Sequence, residues 1–314
     1  MEDLFTIILA IVDDLYQIYA PDEIRNRKNI AEARCSDAEI ITISIVGEMM
    51  GVDSETAWHS FVKKNYSHLF PHLCCRSRYH RRKKNLYLLT ELLRAMLEKE
   101  MDVGLCENYI ADSYPLPVCK FGRAYFCKSF RYEGAAYGRC PSKKETYYGY
   151  KVHVLTTMDG YISRYIIGKA NEDDREGLYH LTEGLYGITI LGDKGYSGRA
   201  IREAMAEHGI TLLALKPSHQ KDQWVKHFRQ IIFRFRRKIE TVFSQLTCQM
   251  NGEQVLARSF WGLCSRVGYK ILAHNLAMVV IFCSTGCLST ASMKALIFCF
   301  LYWHYGLSYI LITF

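Results

Sequence analysis

From about residue 104 the apolar residues of this chain stop recurring at helical spacing and begin to alternate, and one dipeptide fixes how. Asp159-Gly160 separates TYYGYKVHVLTTM from YISRYIIG. An Asp-Gly pair between two alternating runs is the strongest short-range signal for a β-hairpin. In the first run Tyr148, Tyr150, Val152 and Val154 share one face. LCENYIAD reads as an earlier strand, stopped by Pro115 and Pro117. Behind the hairpin the pattern changes to alternating helices and strands. Asp173 or Asp174 caps a helix carrying Leu178, Leu181 and Leu185, and GITILGD follows as a strand. Ser197 caps RAIREAMAEHG, whose apolar positions are Ile201, Ala204, Met205 and His208. ITLLALKP is then a strand closed by Pro217. A long helix comes next, with Val225, Phe228, Ile232, Phe235, Ile239, Val242 and Leu246 along one side. The order β-β-β-α-β-α-β-α predicts an α/β fold with a mixed sheet flanked by helices.

Residues 1–100 read differently, as an N-terminal all-helical domain. Ser36-Asp37-Ala38-Glu39 is a capping box ahead of Ile40, Ile41, Ile43 and Val46. Ser54 opens a helix containing Ala57, Trp58, Phe61 and Val62, and a basic run leads into LYLLTELLRAML. The expected organisation is therefore a helical domain over 1–100 of a kind that could lie on DNA, an α/β domain over 101–283 and an apolar tail over 284–314. Residues 295–314 (ALIFCFLYWHYGLSYILITF) are long enough to span a bilayer. The reading preferred here is an added tail that no chemistry of the chain requires.

Charge narrows the partner. The formal net charge is +8, but it is concentrated. Residues 76–84 hold six Lys or Arg and no acid, and residues 216–238 hold eight against Asp222 alone. Clusters of this kind are the footprint of a polyanion binder; solvated helix faces are the plainer alternative. Arg76, Arg78, Arg81, Arg82, Lys83 and Lys84, with Arg229, Arg237 and Lys238, are the expected phosphate contacts. The twelve cysteines show no disulfide-like regularity, and MEDLF lacks the basic start of a signal peptide. They read as reduced thiols of a cytoplasmic protein. His68, His72, Cys74 and Cys75 lie close together, and Cys283 and Cys287 are four apart. Neither group supplies two matching CxxC pairs, so structural zinc is not the favoured reading.

Three carboxylates stand out against this background. Asp112 ends NYIAD, Asp193 ends GITILGD, and Glu240 lies in the basic helix FRQIIFRFRRKIETVFSQL. Ligands at strand carboxyl ends suit a site at the switch point of an open sheet. At roughly 100° per residue, positions 229, 233, 236, 240 and 244 fall within about 40° of their mean direction. Glu240 then sits at the edge of the buried face with Arg236 one turn before it. That arginine either orients a carboxylate, grips a phosphate, or forms an ordinary i,i+4 pair. Two Mg²⁺ ions, with Mn²⁺ as substitute, take hard oxygen ligands of this type and serve phosphodiester chemistry.

The order of elements matches the ribonuclease-H-like fold, and the motifs resemble those of DDE transposases of bacterial insertion sequences. The pieces that carry the resemblance are IADSYPLPVC, YYGYKVHVLTTMDG, ILGDKGYSG and RKIETVFSQL. They are most similar to the insertion-sequence group numbered nine hundred and eighty-two, over roughly residues 1–280. The resemblance implies Asp112, Asp193 and Glu240 as catalytic and metal-binding residues, and action on terminal repeats and target DNA as a homodimer or larger assembly. Related groups carry a Tyr, Arg, Glu, Lys signature on the last helix. Here Phe233 replaces the tyrosine, Arg236 and Glu240 match, and Thr247 stands at the lysine position, leaving Lys194 as a candidate for that role. Two other readings compete. One is a nuclease of this fold without strand transfer, and the other is a catalytically inactive or domesticated DNA-binding protein.

Overall fold

The computed structural model describes residues 1–102, 106–141, 143–216, 224–254 and 256–285. It divides into two compact units. The first draws on Met1–Gly47, Ser54–Gly104 and the segment from Asn275; the second comprises Glu48–Asp53 and Leu105–His274. The tail from residue 286 onward, Cys287 included, lies outside the described residues.

The first unit is built from α1 (Glu2–Tyr19), the short α2 (Asp22–Arg25), α3 (Asp37–Met49), α4 (Glu55–Asn65), α5 (Arg76–Asn85) and α6 (Tyr87–Glu100). The capping box forms as the sequence requires. Glu39 N–H donates to Ser36 Oγ at 3.0 Å, and Ser36 N–H donates to Glu39 Oε2 at 2.5 Å. Ser54 caps α4 by accepting from Ala57 N–H at 3.2 Å. Phe5 packs on Trp58, Tyr66 and Phe70 with ring centroids 5.0–6.1 Å apart. Gly47 is required where α3 meets the indole. A Cβ there would lie 2.7 Å from Trp58 Nε1, which donates to Ile43 O.

The second unit holds one six-stranded sheet with path β2-β3-β1-β5-β6, and β4 also pairs with β3. The strands are β1 (Asn108–Pro117), β2 (Ala136–Cys140), β3 (Glu145–Thr157), β4 (Ile162–Lys169), β5 (Thr189–Gly192) and β6 (Thr211–Ala214). β1, β3 and β4 are antiparallel neighbours, and β5 and β6 extend the sheet in parallel with β1. With helices α7 (Asp174–Thr182), α8 (Arg199–Glu207) and α9 (Lys226–Ser244), this is the ribonuclease-H-like arrangement. The hairpin at Asp159-Gly160 forms, with Gly160 at φ 102°.

Alternation along β1 and β3 assigns the two faces. Tyr109 and Ala111 of β1 join Leu155, Leu178, Leu181, Ile201 and Met205 in a core beneath α7 and α8. Tyr114, of opposite parity, packs its ring 5.2 Å from Phe243 at the end of α9. The inner stripe of α9 is Ile232, Ile239 and Val242, continued by Leu246 just past its end, all buried. Val225, expected on that stripe, precedes the helix and is exposed.

Three further local expectations are corrected, and one left open is decided. β2 is an additional strand, so four strands precede α7 rather than three. The proline pair does not stop β1, which runs through Pro115 and ends at Pro117, opposite Lys151 and Gly149. Having no N–H, these residues fit only non-hydrogen-bonded pairs with β3. β5 ends opposite Ala111, so β1 beyond that point has an open edge on the β5 side. Ser197 does not cap α8, whose N-cap is Gly198. Asp173, not Asp174, is the N-cap of α7, accepting from Arg175 N–H at 2.9 Å.

Candidate active site

Asp112 and Asp193 come together through the parallel pairing of β1 and β5. Ala111 lies opposite Gly192, so the next residue of each strand is an aspartate at the same level of the sheet. Beyond Gly192 the chain turns into a 3₁₀ turn, Lys194–Tyr196, and the Asp193 carboxylate accepts from Lys194 N–H at 2.5 Å. Gly192 permits this turn: a Cβ there would meet the buried Tyr196 ring at 3.0 Å.

Arg236 connects this pair of aspartates to α9. Its Nη2 is 3.3 Å from Asp193 Oδ2 and 4.0 Å from Glu240 Oε1. Its electrostatic influence reaches Asp112 as well. Glu240 itself is the outlying member, with its side chain 61% exposed. Among the described residues, no three His, Cys, Asp or Glu side chains are gathered closely enough to hold a metal ion as they stand. Asp112 within β1 and Asp193 just past β5 stand side by side, and the glutamate reaches them through an arginine.

Asp112 carries the electrostatic mark of the site. Burial pushes its pKa up to about 7; Ser113 N–H and Arg236 oppose the rise, and Asp193 and Asp174 add to it. This is a place with a surplus of carboxylate oxygen and one cation shared among its members. Hard oxygen donors under mutual repulsion suit a divalent cation in kind. Asp112, Asp193 and Glu240 are the residues that would hold one.

A second polar group stands on the opposite face of the same strands. Asp174 Oδ1 accepts from Ser113 Oγ at 2.9 Å and from Lys151 Nζ at 3.1 Å. The buried ring of His153 lies between Asp174, at 3.9 Å, and Glu172, at 3.8 Å, and neither ring nitrogen makes a hydrogen bond. Burial lowers its pKa to about 4; Asp174 opposes the fall, and Lys151 and His180 add to it. Gly177 of α7 presses on this imidazole, since a Cβ there would lie 2.4 Å from His153 Nδ1. The sequence reading missed this group because Asp174 resembled a helix cap. A usable signal was Lys151 and His153 alternating with the apolar Val152 and Val154.

The expected nucleic-acid contacts divide by exposure. Arg76, Arg78 and Arg81 of α5 are exposed, and Lys84 is half-buried. Arg82 and Lys83 turn inward, contrary to the expectation for them. Arg82 donates to Asp37 Oδ1 and Cys35 O, both at 2.6 Å, and Lys83 is buried. On α9, Arg229, Arg237 and Lys238 are exposed, as is Phe233. Lys194 begins the turn after Asp193. Among the described residues no helix is long and apolar enough to cross a membrane.

Comparison with known proteins bears on this arrangement. None of the curated proteins matches the chain. The chain is similar to one in the cryo-EM structure of the piggyBac transposase synaptic complex with hairpin DNA, at 11% identity and a TM-score of 0.43. The match covers 95% of this chain and 76% of that one. The family model described as Transposase DDE domain matches residues 104–260, a segment containing both aspartates, Arg236 and Glu240. That match takes in half of the chain, which therefore belongs to the DDE-domain transposases.

Proposed function

We propose that this DDE transposase cuts DNA at the ends of a bacterial insertion sequence and joins the freed 3′-hydroxyl to target DNA. We place it nearest the group numbered nine hundred and eighty-two and assign it to the DNA-associated cytoplasm. The observation that carries the reading is the adjacency of Asp112 and Asp193 on parallel strands, with Arg236 joining them to Glu240.

In this reading Asp112, Asp193 and Glu240 hold two Mg²⁺ ions, for which Mn²⁺ substitutes. Bound there, the ions lower the cost of forming the attacking oxygen and stabilise charge on the phosphate. The chain's own residues do the rest. Glu240 swings from solvent toward the strand ends as the site closes. Arg236, released from Asp193, holds a phosphate oxygen through its guanidinium fork. Lys194, beside Asp193, contacts the transferred strand. Arg76, Arg78, Arg81 and Lys84 in one unit, and Arg229, Arg237 and Lys238 in the other, supply salt-dependent attraction to double-stranded DNA. A dimer or larger assembly brings the two ends together.

The test is single replacement of Asp112, Asp193 or Glu240 by Ala, scored by nicking and strand transfer of element-end DNA in Mg²⁺. Loss of both reactions with DNA binding retained is the expected result. Full cleavage by Asp193→Ala would sink the assignment. Cleavage by the wild type without joined products would favour the nuclease reading.

A further inference from the structure

The connection from β1 to β2 keeps its small and anchoring residues inside and turns its rings outward. Phe130 is buried with its ring 6.2 Å from that of Tyr150, whose hydroxyl donates to Glu133 O at 2.9 Å, and Ala124 is buried too. Around these anchors Phe121, Tyr125, Phe126 and Tyr132 are 54%, 75%, 75% and 93% exposed. The segment is not a loose loop. Residues Phe121–Phe126 form a 3₁₀ helix, and Arg131 Nη2 holds Tyr125 O at 2.7 Å. Ordered, exposed aromatic rings grouped in this way mark an interaction surface.

Charge identifies what fits. Lys120, Arg123, Lys128 and Arg131 alternate with the rings along residues 120–132, which contain no acid. The next acid, Glu133, accepts from Phe260 N–H at 2.8 Å. Aromatic faces interleaved with cations match unpaired nucleotides, which offer base faces for stacking and phosphates for pairing. A duplex hides its base faces, and an apolar protein partner would leave the cations without counter-charge. Position agrees with this. Phe121, the first of these rings, follows Asp112 by nine residues, at most about 30 Å of chain, so the platform lies within reach of a strand leaving the candidate site.

We propose that residues 120–132 are a stacking platform for unpaired bases of the DNA strand that runs on from the cleavage site. This rests on the transposase reading only for the identity of the DNA. The test measures binding of the full chain to a fluorescein-labelled oligothymidine and to a blunt duplex. The double replacement Tyr125→Ala/Phe126→Ala should weaken oligothymidine binding by about tenfold or more, as loss of base–aromatic stacking does, and leave the duplex affinity unchanged. Tyr125→Phe should retain binding, and Tyr125→Leu/Phe126→Leu, which keeps apolar bulk, should lose it. Unchanged oligothymidine affinity, an equal loss on both probes, or ring-dependent binding to anionic phospholipid vesicles in place of oligothymidine would each overturn the platform. Ring-dependent oligothymidine binding by a wild type that never cleaves would support the platform while sinking the transposase reading. Cleavage with ring-independent binding would do the reverse.

Discussion

Arg236 stands 3.3 Å from Asp193, so the paired aspartates already have a cation that the protein carries itself. Its pull on Asp112 and its 4.0 Å approach to Glu240 make it a counter-ion to the whole carboxylate set. Two opposite effects of removing it follow. Arg236→Ala should tighten Ca²⁺ binding in the absence of DNA, by roughly tenfold or less, because a competing charge is gone. The same variant should lose DNA cleavage. Arg236→Lys should restore the weaker ion affinity but not the full cleavage rate, since an ammonium cannot form a two-pronged contact. Calorimetry with Ca²⁺ and single-turnover cleavage check the two halves; looser Ca²⁺ binding by Arg236→Ala would contradict the counter-ion role.

The adjacent acids Asp173 and Asp174 should behave differently. Asp173 caps α7 and is substantially exposed, so Asp173→Ala should lower stability by about 0.5–2 kcal/mol and spare cleavage. Asp174→Ala removes the partner of both Lys151 and Ser113, the neighbour of Asp112. It should reduce the cleavage rate as well as stability. Melting curves and rates measured side by side separate them; equal rates in the two variants would remove Asp174 from the site.

Gly177 offers a reversal of the usual helix rule. Ala for Gly inside a helix ordinarily adds about 0.5–1 kcal/mol. Here the added methyl would meet the buried imidazole of His153 at 2.4 Å. Gly177→Ala should therefore destabilise by about 1–3 kcal/mol, the usual cost of overpacking. Combining it with His153→Ala should cost less than the two changes summed. Additive costs in a denaturant double-mutant cycle would show that the ring and the helix do not press on each other.

Acid should weaken the first unit through Asp37. Its carboxylate is fully buried and held by Arg27 and Arg82 at 2.6 Å. Burial alone would raise its pKa, but the two guanidinium bonds outweigh it and hold the group below the ordinary carboxylate range. A depressed folded value means that the stabilisation is complete above the unfolded pKa of about 3.9. It is lost as pH falls from there through the folded value. Asp37→Asn should destabilise by about 3–5 kcal/mol near neutrality, as breaking a buried pair does. It should also flatten the acid limb of stability against pH; an unchanged limb would show that Asp37 does not set it.

The basic helix α5 divides into two kinds of cation, and salt titration should tell them apart. Replacing exposed Arg76, Arg78 and Arg81 with Ala should flatten the plot of log K against log salt by about 0.9 for each phosphate that is no longer neutralised. Arg82→Ala should instead lower the melting temperature, because it strips Asp37 of a partner. A salt slope unchanged by the triple replacement would take α5 out of the DNA interface.

How much of this was legible beforehand depended on whether the signal was local. The capping box at Ser36, the cap at Ser54 and the Asp159-Gly160 hairpin involve residues within a few positions of each other, and the chain alone specifies them. The motifs NYIAD and ITILGD are local too, but their side-by-side placement comes from pairing between residues far apart in the chain. β2 was missed because AYGRC is five residues long with a central glycine and no apolar run. The proline pair read as a stop because the open edge that tolerates it exists only once β5 has ended early. Alternation puts Lys151 and His153 on one face of β3, but no spacing in the sequence links that pair to Asp174. The same holds for Arg82, whose partner lies forty-five residues away.

That early end of β5 also governs what else can enter. Past Ala111 no described strand pairs with β1 on the β5 side, and a bare strand edge usually invites another chain to zip onto it. Pro115 and Pro117 have no N–H to give, so a foreign strand laid along this margin would find gaps in its ladder at alternate steps. That edge of β1 is therefore closed to β-pairing, which leaves it to ligands that bind through charge and ring faces.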